Sequence, residues 1–225
     1  MLKVYCDETE YSADCRIVCL AGCMAAGEAW SLVEQQWQEA LAGVQINELR
    51  ARDLDNGTGE FYKWKDRPDE RNALLAKLIA ILRRHHIIYL LASEPVYKTA
   101  GGELLKDDPY FDCLVAILES VAHHVRTLDG PPHIEMVFTE TTEQRSKART
   151  ILLQAKHVVG GSPFISDAYR LQRDIAPLQV ADLVLFELWK ERERLAFRRT
   201  HTQRWVLNEL LKNAFYWNGY FRPPW

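Results

Sequence analysis

The stretch from residue 2 to residue 26, "LKVYCDETEYSADCRIVCLAGCMAA", decides the fold of this 225-residue chain. Residues 2–8 and 15–26 are rich in β-branched, aromatic and small apolar side chains, which is typical of strands. The polar run "TEYSAD" between them favours a turn. The sequence therefore predicts an antiparallel hairpin at the start of the chain.

Helices and strands alternate after this hairpin. Residues 47–70 are polar and contain glycine, and we expect a long irregular segment there. No linker divides the chain, so we expect a single domain spanning residues 1–225. The order of elements predicts an α/β fold with a mixed sheet, antiparallel at one edge, and helices on its faces. Apolar spacing predicts helices over 28–44, 69–85, 109–128, 142–158, from 177 onward and over 202–213, with strands over 87–96, 133–140 and 163–171.

Composition narrows the class of protein. The formal net charge of −3 gives no global positive field, so the short basic clusters are expected to be solvated helix faces. The apolar runs are too short and too interrupted to span a membrane, and no signal region follows the first residues. We therefore expect a cytoplasmic protein. The five cysteines are an odd number, and Cys15, Cys19 and Cys23 share alternation with Ile17 and Ala21 on one face of a strand, which favours core packing over a zinc site.

Acidic residues at strand ends are the candidate site residues. Asp7 and Glu8 end the first strand, Glu140 ends the strand over 133–140, and ligands of open α/β sheets gather at strand ends. Asp182 lies on an apolar stripe of the helix "PLQVADLVLFELW" (177–189), where an isolated carboxylate is expensive to bury. If these acids converge, they need a cation, and oxygen ligands suit Mg²⁺ or Mn²⁺.

Each acid also has a structural interpretation. Asp7 would begin a turn, and Glu140 would interact with a helix dipole. Asp182 would accept a hydrogen bond from a tyrosine, a tryptophan or Gln179. Glu187 lies five residues after Asp182 on the helix, and we expect it to be solvated.

Three motifs carry a resemblance to a known family. "VYCDETE" near the start and "PLQVADLVLFE" near the end resemble the paired signatures of the domain of unknown function 3800 family, which is mainly prokaryotic. The middle stretch "LRARDLDNGTGEFYKW" resembles that family's H-x-x-D stretch with its following glycine and aromatic residues, although Arg50 stands where histidine is usual. The resemblance implies a ribonuclease H-like fold, with a five-stranded mixed sheet led by a hairpin, and a divalent-metal phosphodiesterase.

The same resemblance assigns roles to individual residues. Asp7 matches the first-strand acid, Asp182 the last-helix acid and Gln179 the glutamine that precedes it. Thr139 stands where the family has its third acid, so Glu140 is the nearest substitute.

We therefore expect a nuclease that uses two Mg²⁺ or Mn²⁺ ions. One ion would bridge Asp7 and Asp182, and Glu8 or Glu140 would help to hold the second. Asp53 would be a loop acid or an outer ligand, with the loop acid favoured. Contacts to nucleic acid are expected from the basic residues that follow the fourth strand, namely Arg145, Lys147 and Arg149.

Alternatives stay open at this point. The chain could keep the fold without catalysis and act by binding a partner, or it could hydrolyse a small phosphoester such as a nucleotide. The aromatic tail over 214–225 would fold back over its own domain in a monomer, which is slightly favoured, or pack against a second copy in a homodimer.

Overall fold

The predicted hairpin is confirmed. The computed structural model describes residues 1–9, 17–96, 109–126, 128, 133–139, 150, 153, 165–170, 175–196, 204–212 and 214–215. Strand β1 (Leu2–Glu8) pairs antiparallel with β2 (Ile17–Ala26), and Asp7 lies opposite Ala21. Asp7 is therefore inside a strand and does not begin a turn. The predicted turn falls on residues that are not described.

The sheet is mixed, as predicted, and its strand order is β5-β4-β1-β2-β3-β6. β3 pairs antiparallel with β2, whereas β4, β5 and β6 run parallel to β1, β4 and β3 respectively. The sheet has six strands where five were predicted, because a two-residue strand at the start of the tail joins the edge beside β3. The remaining strands are β3 (Ile88–Pro95), β4 (Ile134–Thr139), β5 (Ile165–Arg170) and β6 (Ala214–Phe215).

The helices begin and end close to the predicted residues where these are described. The third helix opens with Pro68, Asp69 and Glu70 and ends with two arginines, so its charges complement the helix dipole. The helix predicted over 142–158 lies outside the described residues except at positions 150 and 153, which are helical. The described helices are α1 (Gly27–Ala42), α2 (Ala51–Asn56), a 3₁₀ helix (Gly59–Trp64), α3 (Pro68–Arg84), α4 (Pro109–Arg126), α5 (Ala176–Ala196) and α6 (Trp205–Leu211).

Helices cover both faces of the sheet. Tyr5, Cys19 and Cys23 belong to the core that the sheet shares with α1, α3 and α5. Val4 and Cys6 point to the opposite face, which packs against α4. This alternation confirms the interpretation of Cys19 and Cys23 as core residues, and both are free thiols. Within the described part of the chain, no helix is long and apolar enough to cross a bilayer.

The prediction of an irregular segment over 47–70 was wrong. Two short helices form there, and each buries residues three apart: Ala51 with Leu54, and Phe61 with Trp64. A helix of one or two turns contains too few apolar residues to show a period in the sequence. Gly57 ends α2 with φ +62°, and a Cβ at this position would lie 2.7 Å from the Cα of Lys65, so the close turn requires glycine.

Candidate functional site

Asp7 is a buried carboxylate on the helix-rich face of the sheet. Its side chain is only 2% exposed although it lies near the end of β1. Strand alternation places it on the same face as Tyr5, which packs into the core with α5. The thiol of Cys23 shares that face, and its pKa is raised by burial and by the negative charge of Asp7. Asp7 therefore contributes negative charge beneath α5.

Glu8 follows Asp7 but points the other way. Alternation puts it with Cys6 on the α4 face, and burial, Cys23, Glu8 and Asp7 together raise the pKa of the Cys6 thiol. Glu8 is half-buried. The two adjacent acids therefore do not share one face of the sheet.

Asp182 contacts the middle segment of the chain. Its Oδ2 atom accepts a hydrogen bond from the backbone N–H of Ala51, the first residue of α2, at 2.9 Å. The first N–H groups of a helix have no partner inside that helix, so this carboxylate satisfies one of them and favours the dipole. The backbone amide of Ala51 is thus one hydrogen-bond donor to Asp182.

Gln179 ties the same segment to α5 one turn earlier. Its Oε1 atom accepts hydrogen bonds from the indole Nε1 of Trp37, at 2.9 Å, and from the backbone N–H of Leu49, at 3.0 Å. All three groups are buried, so the amide oxygen satisfies two donors that water cannot reach. Gln179 and Asp182 therefore hold residues 49–51 against α5 with two hydrogen bonds, and Gln179 also ties α1 to α5.

These two side chains form one wall of a small pocket beside the start of α2. We call it the Asp182 pocket, and it is lined by Glu48, Leu49, Arg50, Leu178, Gln179 and Asp182. Arg50 is ion-paired with Glu48 at 3.1 Å and is exposed. The pocket therefore combines carboxylates, an amide and a guanidinium.

Asp53 lies in α2 and has a structural contact. Its Oδ1 atom accepts a hydrogen bond from the hydroxyl of Thr58 at 2.7 Å. A Cβ on Gly59 would lie 3.4 Å from its Oδ2 atom, so the carboxylate packs into the turn between the two short helices. This hydrogen bond is consistent with the prediction that Asp53 is a loop acid.

The other predicted site residues lie outside the described part of the chain: Glu140, Arg145, Lys147 and Arg149. Among the residues that are described, no group of three histidine, cysteine, aspartate or glutamate side chains is arranged to hold a metal ion. Of the four predicted metal ligands, Asp7 lies beneath α5, Asp182 lies on α5 itself, Glu8 is on the opposite face of the sheet and Glu140 is not described.

The prediction that Glu187 is solvated was wrong. Its side chain is 1% exposed and accepts a hydrogen bond from Arg204 Nε at 2.9 Å. Arg204 also contacts Asp55 at 2.6 Å, and Lys190 lies 3.3 Å from the same carboxylate. We call these four side chains the Glu187 cluster. It joins α2, α5 and the residue that precedes α6.

Burial dominates the ionisation of Glu187. It raises the pKa of this carboxyl to about 7, against the opposite effect of Arg204. Burial alone would also raise the pKa of Asp55, but Arg204 and Lys190 hold it below its usual value. The two carboxyl groups share the guanidinium of Arg204, but the pKa of Glu187 is raised and the pKa of Asp55 is lowered.

A cavity of about 100 Å³ lies beside this cluster, between α2, α3 and α5. Arg71 enters it from α3 and donates to the backbone carbonyl oxygen of Asp55 at 3.0 Å. The sequence did contain a signal for the buried cluster. Residues 177–189 are apolar on most faces of the helix, a pattern typical of a largely buried helix, so an acid such as Glu187 within it is expected to need a partner.

No family model matches this chain, and no curated protein or solved structure matches it either.

Proposed function

We propose that this protein is a nuclease with a ribonuclease H-like fold, in which Mg²⁺ or Mn²⁺ ions are held by carboxylates and hydrolyse a phosphodiester. The observation that carries the proposal is the burial of Asp7 on the face of the sheet that α5 covers, with Asp182 on α5. A cation bound by Asp7 and Asp182 would offset the cost of burying the Asp7 carboxylate beneath this helix.

The strand arrangement supports the fold in this proposal. A hairpin leads the chain, and strands parallel to β1 extend the sheet on one side of it. β1 and β4 are neighbours and run in the same direction, so their carboxyl ends meet at one edge. Asp7 lies at that end of β1, and Glu140 follows the end of β4 in the sequence. We therefore assign Asp7, Asp182 and Glu140 as the metal ligands.

Divalent ions bound there would activate a water molecule and neutralise charge on the leaving oxygen. The chain's own residues would position the ligands. Gln179 and Asp182 fix residues 49–51 to α5, so the carboxylate of Asp182 keeps one orientation through its bond to Ala51.

The test is cleavage of end-labelled DNA and RNA oligonucleotides, single- and double-stranded, with Mn²⁺, Mg²⁺ or a chelator. Cleavage should need the metal and should disappear in Asp7→Asn and in Asp182→Asn. Asp66→Asn is the matched control, because it removes an exposed carboxylate from the middle segment. Cleavage that persists in both site variants would contradict the assignment, as would the absence of Mn²⁺ binding to the wild type by calorimetry.

One observation favours a second candidate function, which is a non-catalytic protein that binds a partner. Asp182 already has a structural role, because its Oδ2 atom accepts a hydrogen bond from the backbone N–H of Ala51. A protein that needs Asp182 only for this bond would keep its fold and lose nothing in the asparagine variant. Metal binding by the wild type separates the two candidates.

A further inference from the structure

The middle segment over 50–67 presents an exposed aromatic ring. The segment starts at the Asp182 pocket, since Arg50 lines the pocket and Ala51 donates to Asp182. Its two short helices bury Ala51, Leu54, Phe61 and Trp64, so the positions between them face solvent. Tyr62 is 72% exposed, the largest exposure among the large apolar and aromatic side chains that are described as exposed.

Cationic side chains lie in the same segment as the Tyr62 ring. Arg52 and Lys65 are exposed, and within the described residues neither side chain makes an ion pair or a hydrogen bond. Lys63, next to Tyr62, donates to the carbonyl oxygen of Val44 at 2.9 Å and stays exposed. Two of these cations are therefore available to an outside anion.

The carboxylates of the segment are mostly engaged by groups of the fold. Asp53 accepts from Thr58, and the charge of Asp55 is neutralised in the Glu187 cluster. Glu60 accepts from the backbone N–H and from the side-chain amide of Asn47, both at 2.7 Å. Of these three carboxylates only Asp55 is paired with cations, whereas the donors to Asp53 and Glu60 are neutral groups that do not offset their charge.

We propose that Arg52, Tyr62 and Lys65, which we call the Tyr62 surface, bind single-stranded nucleic acid beside the Asp182 pocket. An exposed ring stacks on a base, whatever its identity, and flanking cations neutralise phosphates. Bases of a duplex are already stacked on each other, so the ring favours an unpaired strand. The proposal rests on the proposed function, because the surface would hold the strand on which the metal site acts.

The test is fluorescence anisotropy with labelled single strands of DNA and of RNA, about 12 nucleotides long, in the presence of a chelator that prevents cleavage. Tyr62→Leu should weaken binding by roughly five-fold to a hundred-fold, because it keeps an apolar side chain but removes the stacking face. Tyr62→Phe should bind like the wild type. These substitutions lie at an exposed position, and an unchanged melting temperature checks that the fold is intact.

The contribution of the two cations to binding is tested with a separate variant and a matched control. The double variant Arg52→Ala, Lys65→Ala should weaken binding and reduce the slope of log affinity against log salt by about 1.4, which is about 0.7 for each lost phosphate contact. Lys77→Ala removes an exposed cation from α3 and is the matched control, with binding unchanged.

Cleavage is measured in parallel with Mn²⁺, so that failures can be told apart. If the wild type cleaves but all variants bind like it, the Tyr62 surface is refuted and the proposed function stands. If the variants lose binding while the wild type never cleaves, the surface is supported and the proposed function fails. Equal loss of duplex binding in Tyr62→Leu overturns the preference for single strands, and no binding by the wild type overturns the surface.

Discussion

Two acids five residues apart on α5 differ in almost every property. Asp182 is half-buried and takes its hydrogen bond from a backbone amide at the edge of a pocket. Glu187 is fully buried and is ion-paired with Arg204, which also pairs with the carboxylate of Asp55. The lesson is that a charged residue in an apolar helix is explained by its partner and not by its position in the pattern. A carboxylate beside a pocket is a candidate for function, whereas one inside a closed ion-pair cluster stabilises the fold.

The largest expected effect separates function from stability at Asp182. Asp182→Asn should abolish metal-dependent cleavage, because the charge is lost, while the remaining amide oxygen still accepts from Ala51. Its melting temperature should stay within about 2 °C of the wild type. Asp182→Ala should also lack cleavage but should lose about 1 kcal/mol of unfolding free energy, because that acceptor is gone. An asparagine variant that keeps both its stability and its metal-dependent cleavage would show that Asp182 acts only as an acceptor in the fold.

A larger loss of stability is expected one turn earlier. Gln179→Leu leaves the indole N–H of Trp37 and the backbone N–H of Leu49 buried without their acceptor. Because each such donor costs about 1–3 kcal/mol, we expect urea denaturation to show a loss of about 3 kcal/mol.

The matched control for this variant is Gln35→Leu. Gln35 is exposed on α1 and donates to Glu39, so its loss should change stability by less than about 0.5 kcal/mol. Equal losses in the two variants would mean that burial does not set the cost.

The Glu187 cluster is tested by removing its guanidinium. Arg204→Ala removes the ion-pair partner of two carboxylates. Glu187 can then take up a proton, and Asp55 still has its ion pair with Lys190. We therefore expect a loss of about 2 kcal/mol, below the range of about 3–5 kcal/mol for a fully buried broken pair. Arg83→Ala breaks an exposed pair with Glu209 and should cost less than about 1 kcal/mol. If thermal unfolding shows the same small loss in both, the cluster adds nothing to stability.

The smallest effect is a difference in pH dependence. Burial raises the pKa of Glu187 from about 4.5 to about 7, so this carboxyl holds its proton more tightly in the folded protein. Its contribution to stability is then complete below pH 4.5 and is lost as the pH rises through 7. Glutamine cannot titrate, so Glu187→Gln should gain stability relative to the wild type over that interval, by a few degrees in melting temperature. A constant difference at every pH would contradict the raised pKa.

Much of the fold follows from local pattern. The hairpin, the helices α1, α3 and α4, and the mixed sheet were predictable because each contains enough residues for its period to show in the sequence. The segment over 47–70 was not, because α2 and the 3₁₀ helix have six residues each. Gly57 ends α2 and Gly59 begins the 3₁₀ helix. In the sequence these glycines predict a loop, but in the structure they allow a compact turn.

For the candidate site, the sequence by itself determined which polar side chains lie among apolar residues: Asp7 at a strand end, and Gln179 and Asp182 on a helix too apolar to leave them without partners. Only the tertiary structure decided what those partners are. Ala51 and Leu49 lie about 130 positions away from α5 in the chain, and Arg204 reaches back to Asp55 across 149 positions. Hydrogen bonds and ion pairs depend on distances of about 3 Å in space, and the separation of two residues along the chain does not encode such a distance.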